Sequence, residues 1–316
     1  MVEIIEVKNL VKRYKKAEKN AVDDVSFSVK AGEFFSLLGP NGAGKTTTIS
    51  ILTTTLSKTS GKITVAGYDL DKNQDKVRQS VGIIFQNPSL DLNLTAEENI
   101  RFHAILYGLY PFSPLFNFMP KKYRNEVYQL AELIGIKDEL FKPIKTFSGG
   151  MKRKLEIIRS LIHHPKVLFL DEPTVGLDPL SRKNLWEYLI DIREKEKLTL
   201  FLTTHYLEEA EPADNVAIIN NGKIITRGTP DEIKKRIVKD YLMVDSKNKE
   251  GLVEELKKHR YDFETNNQIK INLGKKSVQE VISSIKTPLS SVRTHTPTIE
   301  EAYLEIIGED QKNHSE

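Results

Sequence analysis

The sequence contains no cysteine among its 316 residues. This excludes a disulfide framework and any metal site built on thiolates. It also lacks a run of about 20 consecutive apolar residues, the length that a membrane-spanning helix needs. The first residues, Met1 to Glu6, mix apolar and acidic side chains, unlike a secretory signal. These absences predict a protein without a transmembrane segment that works on the cytoplasmic side of a membrane.

A strong charge of one sign is absent as well. The 47 basic residues nearly balance the 44 acidic ones, which leaves a net charge of +3. A nucleic-acid-binding protein usually carries a pronounced basic surface, so no nucleic-acid partner is expected. Hydrophobic residues make up 39% of the chain and charged residues 29%, a mixture typical of globular proteins.

A glycine-rich loop is the first chemical motif in the chain. The stretch Gly39-Pro-Asn-Gly-Ala-Gly-Lys45-Thr46 lies between a predicted strand, 34–38, and a predicted helix, 46–56. Its form and its position match the phosphate-binding P-loop, whose backbone N–H groups surround phosphate oxygens. The candidate nucleotide-binding residues of the loop are Gly39, Pro40, Asn41, Gly42, Ala43, Gly44, Lys45, Thr46 and Thr47. In such a loop the lysine reaches the β- and γ-phosphates and the hydroxyl of Thr46 binds Mg²⁺.

A pair of acids follows an apolar strand near the middle of the chain. Asp171 and Glu172 come after the run Val167-Leu-Phe-Leu, at the end of a strand where open α/β sheets bind their ligands. We predict that Asp171 helps to hold Mg²⁺ and that Glu172 is the general base for an attacking water. The alternative, two hydrated acids in a turn before Pro173, loses weight beside the phosphate loop.

Between these two motifs lies Phe147-Ser148-Gly149-Gly150-Met151. This stretch resembles the signature of ABC ATPases, usually Leu-Ser-Gly-Gly-Gln, and differs from it at both ends. The resemblance implies that Ser148, Gly149 and Gly150 face the γ-phosphate held by a second subunit, so that two ATP molecules are enclosed in a head-to-tail pair. From the residues alone, Ser148 is expected to cap a helix whose first N–H groups form an anion site.

Four more residues match the family pattern in order. Tyr14 lies where the adenine-stacking aromatic is found, although an ordinary strand-end tyrosine is an alternative. Gln86 resembles the glutamine that contacts Mg²⁺ and water. Asp178 lies in a Gly-Leu-Asp-Pro segment similar to the loop that crosses the dimer interface. His205 resembles the histidine that contacts the γ-phosphate and holds the catalytic glutamate. Glu172, His205 and Gln86 are therefore the predicted catalytic residues, and Thr46, Gln86 and Asp171 the predicted Mg²⁺ site.

The family implies an α/β fold, the P-loop NTPase cassette of the ABC type. Such a cassette combines an N-terminal antiparallel β subdomain, a parallel-sheet RecA-like core and an α-helical subdomain. We assign it to residues 1–235, with the helical subdomain at about 95–150. The periodicity of residues 240–308 predicts a small α+β module in the order β-α-β-β-α-β, as in ferredoxin-like folds. Residues 309–316 are polar and are expected to be frayed.

Two segments carry finer hints. The tail 296–308 is similar to the ending of ATPases from the drug-resistance and daunorubicin-type exporter branch. The segment 110–120 contains three prolines and four aromatic residues, which break the helical pattern. This insertion either docks on cytoplasmic helices of a membrane partner or forms a local core on the helical subdomain.

The sequence thus predicts the ATP-hydrolysing motor subunit of an ABC transporter, an exporter of the multidrug or antibiotic-resistance type. It would use ATP and Mg²⁺, pair with a second ATPase subunit, and drive a separate transmembrane permease from the cytoplasmic face of the membrane. The alternative is an ABC ATPase that acts on ribosomes or DNA. A cassette that binds ATP without turnover is a further possibility, which the presence of Glu172 and His205 disfavours.

Overall fold

The computed structural model describes residues 2–86, 89–237, 241–265, 268–274, 276–295 and 303. The chain divides into two compact units, Met1–Arg227 and Gly228–Glu316. The boundary predicted from the sequence, between 235 and 240, lies a few residues later and stays a prediction.

The first unit contains strands β1 to β10 and helices α1 to α7, with three short 3-10 helices in addition. In chain order they are β1 (Glu3–Lys12), β2 (Val22–Lys30), β3 (Phe34–Leu38), α1 (Lys45–Leu52), β4 (Ser60–Val65), β5 (Tyr68–Asp69), α2 (Gln74–Ser80), β6 (Val81–Ile84), α3 (Ala96–Leu106), Phe116–Phe118 (3-10), α4 (Lys121–Ile134), Lys137–Glu139 (3-10), Ile144–Thr146 (3-10), α5 (Gly149–Leu161), β7 (Val167–Asp171), α6 (Pro179–Glu196), β8 (Thr199–Thr204), α7 (Leu207–Ala210), β9 (Asn215–Asn220) and β10 (Lys223–Gly228).

Two sheets form the centre of this unit. The N-terminal sheet has the order β2-β1-β4-β5 and its strands pair antiparallel. The second sheet has the order β10-β9-β3-β8-β7-β6, in which β9, β3, β8, β7 and β6 run parallel. Every residue of β3, β7 and β8 is buried, as expected for parallel strands covered on both faces.

The two sheets share one hydrophobic core. The ring of Phe27, from the N-terminal sheet, stacks on Phe35 of the parallel sheet with centroids 5.3 Å apart. Phe201 lies 5.2 Å from Phe35 and 5.3 Å from Phe169. Large aromatic side chains bury much apolar area each, so this cluster fixes the antiparallel sheet against the parallel one.

Helices α3, α4 and α5 form the helical subdomain, and α5 packs on both of the others. Helix α3 begins with a capping box in which Thr95 and Glu98 bind each other's backbone N–H groups, a strong helix start. Helix α5 is anchored to the parallel sheet, because Nη1 and Nη2 of Arg153 donate to the carbonyl oxygens of Phe85 (2.6 Å) and Gln86 (3.2 Å).

The insertion is held onto α3 by buried polar contacts. Arg101 donates to the carbonyl of Ser113 at 3.0 Å and lies 3.2 Å from Glu97. Tyr123 donates to the same glutamate at 3.2 Å. Phe116 packs edge-on against Tyr123 and two further rings, those of Tyr128 and Phe141. The insertion therefore forms a local core on the helical subdomain, as one of its two interpretations predicts.

Not all of the insertion takes part in that core. Phe112 and Phe118 are 70% and 71% exposed, Leu115 is exposed as well, and so is Leu106 at the end of the preceding helix α3. We call these four residues the insertion patch; the docking interpretation can apply to them.

The second unit contains α8 (Pro230–Ile237), β11 (Tyr241–Asp245), α9 (Lys249–Lys258), β12 (Phe263–Thr265), β13 (Ile269–Asn272), α10 (Val278–Ser284) and β14 (Ser291–His295). Its sheet has the order β12-β13-β11-β14, with antiparallel pairs throughout. Leu242, Val244, Leu252, Ile271 and Val281 belong to its own core. This is the β-α-β-β-α-β arrangement that the sequence predicts. The apolar spacing of residues 298–307 predicts a last amphipathic segment, which lies, apart from residue 303, outside the described residues.

The structure differs from the sequence-based prediction in some elements. Helix α2 was not predicted, because its polar sequence offers one buried residue, Val77. The apolar spacing of the sequence predicts a helix over 184–195, whereas helix α6 begins five residues earlier, at Pro179, with Asp178 as its cap. The stretch Asn220-Asn-Gly222 predicts a hairpin turn. The turn is present between β9 and β10, and Asn221 and Gly222 both have positive φ, 46° and 78°, as a type I′ turn requires.

A cluster of three rings, of which His163 is buried and His103 and Tyr107 are half-buried, predicts a pH dependence of stability. His103 packs on Tyr107 and on His163. Burial lowers the pKa of His103 to about 3, and the nearby Arg159 and His163 charges add to this effect. Burial also lowers the pKa of His163. Because the unfolded state then binds protons that the folded state does not, the free energy of unfolding should fall as the pH drops below about 6.5.

The variant His103→Phe keeps the ring stacking and removes one titrating group. Between pH 6.5 and 5, its free energy of unfolding should therefore fall less steeply than that of the wild type, by up to about 1.4 kcal/mol per pH unit. Urea unfolding followed by the fluorescence of Trp186, the single tryptophan, measures this slope. Tyr107→Phe is the control and should keep the wild-type slope. An unchanged slope in His103→Phe would contradict the prediction.

Candidate nucleotide site

The predicted site residues follow neighbouring parallel strands. Gly39 follows β3, Glu172 follows β7, His205 follows β8 and Gln86 lies two residues after β6. These strands are adjacent in the order β3-β8-β7-β6 and all point the same way. Segments distant in the sequence therefore meet at one edge of the sheet, where open α/β folds bind ligands. A cavity of about 490 Å³ opens there, lined by residues of all four segments.

The phosphate loop has the backbone that its glycines allow. Gly42 and Gly44 have φ of 81° and 107°. A Cβ on Gly44 would lie 2.5 Å from the carbonyl oxygen of Ala21, and one on Gly39 would lie 2.2 Å from that of Ile219. The loop is thus packed tightly between two neighbouring segments, and glycine is the residue that fits both positions. Helix α1 starts directly after Gly44, so its N-terminal N–H groups face the site.

Lys45 lies inside this loop. Its ammonium group donates to the carbonyl oxygens of Gly39 at 2.8 Å and Pro40 at 3.0 Å. The same nitrogen lies 3.4 Å from Oε1 of Glu172. Burial lowers the pKa of Lys45, while the charges of Glu172 and Asp171 oppose that effect. A buried cation at the start of a helix is well placed to bind anionic phosphate groups.

Asp171 is the last residue of β7 and is buried. Its Oδ1 accepts hydrogen bonds from the hydroxyls of Thr46, at 3.3 Å, and Thr203. Burial raises the pKa of Asp171, and these hydrogen bonds oppose the rise. The buried carboxylate of Asp171 and the hydroxyl of the exposed Thr46 are oxygen donors of the kind that a hard divalent cation prefers.

The carboxylate of Glu172 is surrounded by the other predicted catalytic groups. Nε2 of Gln86 donates to its Oε2 at 3.3 Å. Nδ1 of His205 lies 3.1 Å from its Oε1, although the two atoms do not form a hydrogen bond. Glu172 itself has a φ of 47°, which a residue other than glycine adopts only when its surroundings fix it. The structure thus brings Lys45, Gln86, Glu172 and His205 together.

Tyr14 lies at the margin of this site. Its hydroxyl is 3.2 Å from Oγ1 of Thr47, and its ring is 45% exposed beside Lys12. An exposed ring next to the phosphate loop can stack on a base, but the predicted contact with adenine stays a prediction.

The signature residues lie in a separate pocket. Ser148 caps α5 by accepting a hydrogen bond from the N–H of Met151 at 3.2 Å. Its pocket, of about 130 Å³, includes Gly150, Leu177 and Ser181, and a Cβ on Gly150 would lie 3.1 Å from Oγ of Ser181. Gly149 is the first residue of α5.

Asp178 caps α6 by accepting from the N–H of Ser181 at 3.0 Å and from its hydroxyl. None of Ser148, Gly149, Gly150 and Asp178 lines the nucleotide cavity of its own chain. Their predicted role toward a second subunit stays a prediction.

Sequence reasoning missed several residues of the site. Ala21, Val175 and Tyr206 line the cavity, and Thr203 binds Asp171. Ala21 lies in the turn before β2 and belongs to no recognisable sequence motif. Thr203 and Tyr206 flank predicted residues in the sequence, so their neighbourhood could have been inferred.

A second cavity, of about 510 Å³, lies at the other end of the strands. Its lining mixes apolar side chains, among them Leu130, Leu133 and Ile192, with charged and polar ones, among them Glu126, His164 and Lys166. No glycine-rich loop or helix start faces it. We therefore assign the nucleotide to the slightly smaller cavity at the carboxyl edge, where the chemistry converges.

Among the described residues, no group of three or more His, Asp or Glu side chains is arranged to bind a metal ion by itself. In the same part of the chain, no helix is both long enough and apolar enough to cross a membrane.

Comparison with known proteins gives the family. The family model described as "ABC transporter" matches residues 22–175. The linearmycin resistance ATP-binding protein LnrL of Bacillus subtilis (strain 168) is 35% identical over 318 residues, covering 96% of this chain and 98% of the relative. The probable multidrug ABC transporter ATP-binding protein YbhF of Escherichia coli (strain K12) is 39% identical over 237 residues, covering 75% of this chain. This match spans 39% of the length of YbhF.

A solved structure described as an ATP-binding subunit of an ABC transporter matches 74% of this chain and 92% of its own, with a TM-score of 0.64 and 32% identity. The fold predicted from the motifs, a P-loop cassette of the ABC type, is confirmed, as is the predicted resemblance to the drug-resistance branch. The chain belongs to the ABC transporter ATP-binding proteins.

Proposed function

We propose that this chain is the ATP-hydrolysing motor subunit of an ABC exporter that removes drugs or antibiotics and whose membrane-spanning permease is a separate chain. The observation that carries the proposal is the Glu172 carboxylate, placed among Lys45, Gln86 and His205 at the edge of the sheet that bears the phosphate loop. The names of the relatives, a linearmycin resistance protein and a probable multidrug transporter protein, support the exporter assignment. Neither of them supports the alternative of a ribosome- or DNA-directed ATPase.

The residues of the site would have separate roles in binding and hydrolysing ATP. The loop 39–47 and the start of α1 bind the phosphates of ATP, and Lys45 exchanges its carbonyl partners for the β- and γ-phosphate oxygens. Glu172 accepts a proton from the attacking water, and His205 and Gln86 hold that carboxylate in place. The nucleotide cavity of a single chain is open to solvent, since Thr46 and Asn41 are exposed at its mouth.

Mg²⁺ fits the oxygen donors beside the phosphate loop. Thr46 and Asp171 would hold it, with Gln86 at its edge; the other ligands would be phosphate oxygens and water, as is usual for this ion. When bound, Mg²⁺ neutralises charge on the phosphate oxygens. Because burial raises the pKa of Asp171, a cation at this position would favour the ionised carboxylate.

Pairing of two copies completes the proposal. The anion-binding start of α5, with Ser148 and Gly150, lies outside the nucleotide cavity of its own chain. It would meet the γ-phosphate held by a second ATPase subunit. ATP binding would then close the pair, and hydrolysis would reopen it at the cytoplasmic face of the membrane.

The first prediction concerns Glu172→Gln. This change keeps the shape of the side chain and removes the base, so kcat for ATP should fall by about 10²- to 10⁴-fold. The Kd for MgATP should stay within about threefold, because the phosphate loop is unchanged. Turnover measured by phosphate release and binding measured by calorimetry separate the two effects.

The matched control for this experiment is Glu208→Gln. Glu208 is an exposed acid on α7, close in sequence to His205, and its variant should keep wild-type turnover. Unaltered ATPase activity in Glu172→Gln would refute the assignment of the base.

A second prediction concerns the insertion patch. Exposed apolar side chains in such number commonly mark a contact surface, and we infer that this one touches the cytoplasmic helices of the permease. The double change Phe112→Ser and Phe118→Ser should lower the amount of permease recovered with the tagged, ATP-loaded Glu172→Gln protein by at least about tenfold. Nucleotide binding should be unchanged, since none of the patch residues lines the nucleotide cavity.

Leu133→Ser serves as the control, because Leu133 is also exposed but lies on α4 outside the insertion. Mass spectrometry of the proteins recovered from detergent-solubilised membranes gives the readout. Recovery of a polytopic membrane protein at equal levels with both variants would exclude a docking role for the patch. Recovery of ribosomal or DNA-repair proteins in place of a membrane protein would overturn the transporter assignment.

A further inference from the structure

A buried carboxylate that no motif includes lies behind the catalytic groups. Glu209, on the short helix α7, is 3% exposed. Its Oε2 accepts a hydrogen bond from the hydroxyl of Thr204 at 2.6 Å, and its Oε1 accepts one from the hydroxyl of Thr174. Among the described residues, no basic side chain forms an ion pair with it.

The two hydroxyls belong to different catalytic segments. Thr204 is the last residue of β8 and directly precedes His205. Thr174 comes two residues after Glu172, in the loop that leaves β7. One carboxylate therefore joins the segment of the proposed base to the segment of the histidine that lies 3.1 Å from that base.

The segment of Glu172 needs such support. Its φ of 47° is uncommon for a residue with a side chain, and it precedes Pro173, which restricts the preceding backbone further. Strained conformations of this kind persist where the surrounding structure fixes them. The N–H of Glu172 bonds to the carbonyl of Thr203 at 2.9 Å, which fixes one side of the residue. The Thr174 hydroxyl fixes the other.

The Thr204 end reaches the phosphate loop as well. The N–H of Gly39 donates to the carbonyl of Thr204 at 3.2 Å, and the N–H of Tyr206 donates to the Thr204 hydroxyl at 2.9 Å. Thr204 thus contacts the loop, the turn that carries His205, and Glu209. A shift of Thr204 would therefore move both the phosphate loop and the turn that carries His205.

A buried charge held by hydroxyls alone is a poor way to stabilise a fold, because removing a carboxylate from water costs free energy that hydrogen bonds return only in part. This arrangement instead fixes the orientation of the two threonine side chains. A carboxylate accepts on both oxygens and cannot donate, so both threonine hydroxyls are oriented toward one point.

We propose that Glu209 is a positioning residue that fixes the separation of Glu172 and His205 by holding Thr174 and Thr204. The inference rests on the proposed hydrolytic function, and it adds a buried residue that does not line the nucleotide cavity. Misplacing a catalytic group by about 1 Å costs roughly 10²-fold in rate, so the contribution should appear in kcat.

The main variant is Glu209→Gln. An amide accepts on one side only and donates on the other, so one threonine hydroxyl must change from donor to acceptor, and the hydrogen bonds that the carboxylate strengthens are lost. We expect kcat to fall by at least about tenfold, while the KM and Kd for ATP stay within about threefold. Thr174→Val and Thr204→Val should each lower kcat, and Thr174→Ser and Thr204→Ser should restore it, because serine keeps the hydroxyl.

Thr199→Val is the matched control. Thr199 is equally buried at the opposite end of β8, where its hydroxyl accepts from the N–H of Gly32 at 3.0 Å. Its variant removes a buried threonine hydroxyl from the same strand without touching the site, so it should keep the wild-type kcat. Combining Glu209→Gln with Thr174→Val should cost little more than Glu209→Gln alone, since both changes break the same contact.

A readout that does not depend on turnover completes the test. The ring resonance of His205 in ¹³C-histidine-labelled protein, assigned with His205→Gln, should move in Glu209→Gln and in Thr204→Val but not in Thr199→Val. If the wild type shows no ATPase activity yet the resonance moves as expected, the proposed function fails and the positioning role stands. Wild-type kcat together with an unmoved His205 resonance in Glu209→Gln would overturn the positioning role.

Discussion

The contact on which this site depends is the approach of Lys45 to Glu172, an ion pair almost without access to water. Its two partners come from loops that follow different strands of one parallel sheet. Because β8 lies between β3 and β7, the pair forms only when all three strands have their native register. Gln86 and His205 add contacts from the two remaining loops. Correct assembly of the sheet is thus itself the condition for a competent site.

Much of this arrangement could be predicted from short sequence motifs. The phosphate loop, the acids after β7 and the histidine after β8 each follow an apolar strand, and parallel strands place their carboxyl ends at one edge. What could not be predicted depends on contacts between distant residues. Helix α2 is held by a single buried side chain, Val77. Glu209 lies among acidic neighbours, and nothing in the sequence separates it from the exposed Glu208.

The insertion shows how one segment can serve two purposes. Its composition suggested either a local core or a contact surface, and the structure divides its aromatic residues between the two. Phe116 and Met119 are buried against the helical subdomain, whereas Phe112 and Phe118 face solvent. The salt-bridged Arg101 ties the backbone of the insertion to α3. A rigid base of this kind lets exposed aromatic side chains keep a defined position without a partner.

Helix α5 has a consequence for communication within a pair of subunits. Its first residues form the signature pocket, while Arg153, one turn further on, holds the backbone carbonyls of Phe85 and Gln86. In a head-to-tail pair, the same helix would touch the partner's nucleotide at its tip and the glutamine of its own nucleotide at its side. Binding of ATP at one site would then affect the other site through one rigid element, helix α5. Such coupling between the two nucleotide sites would make turnover rise more steeply with ATP concentration than independent sites allow, with a Hill coefficient above one.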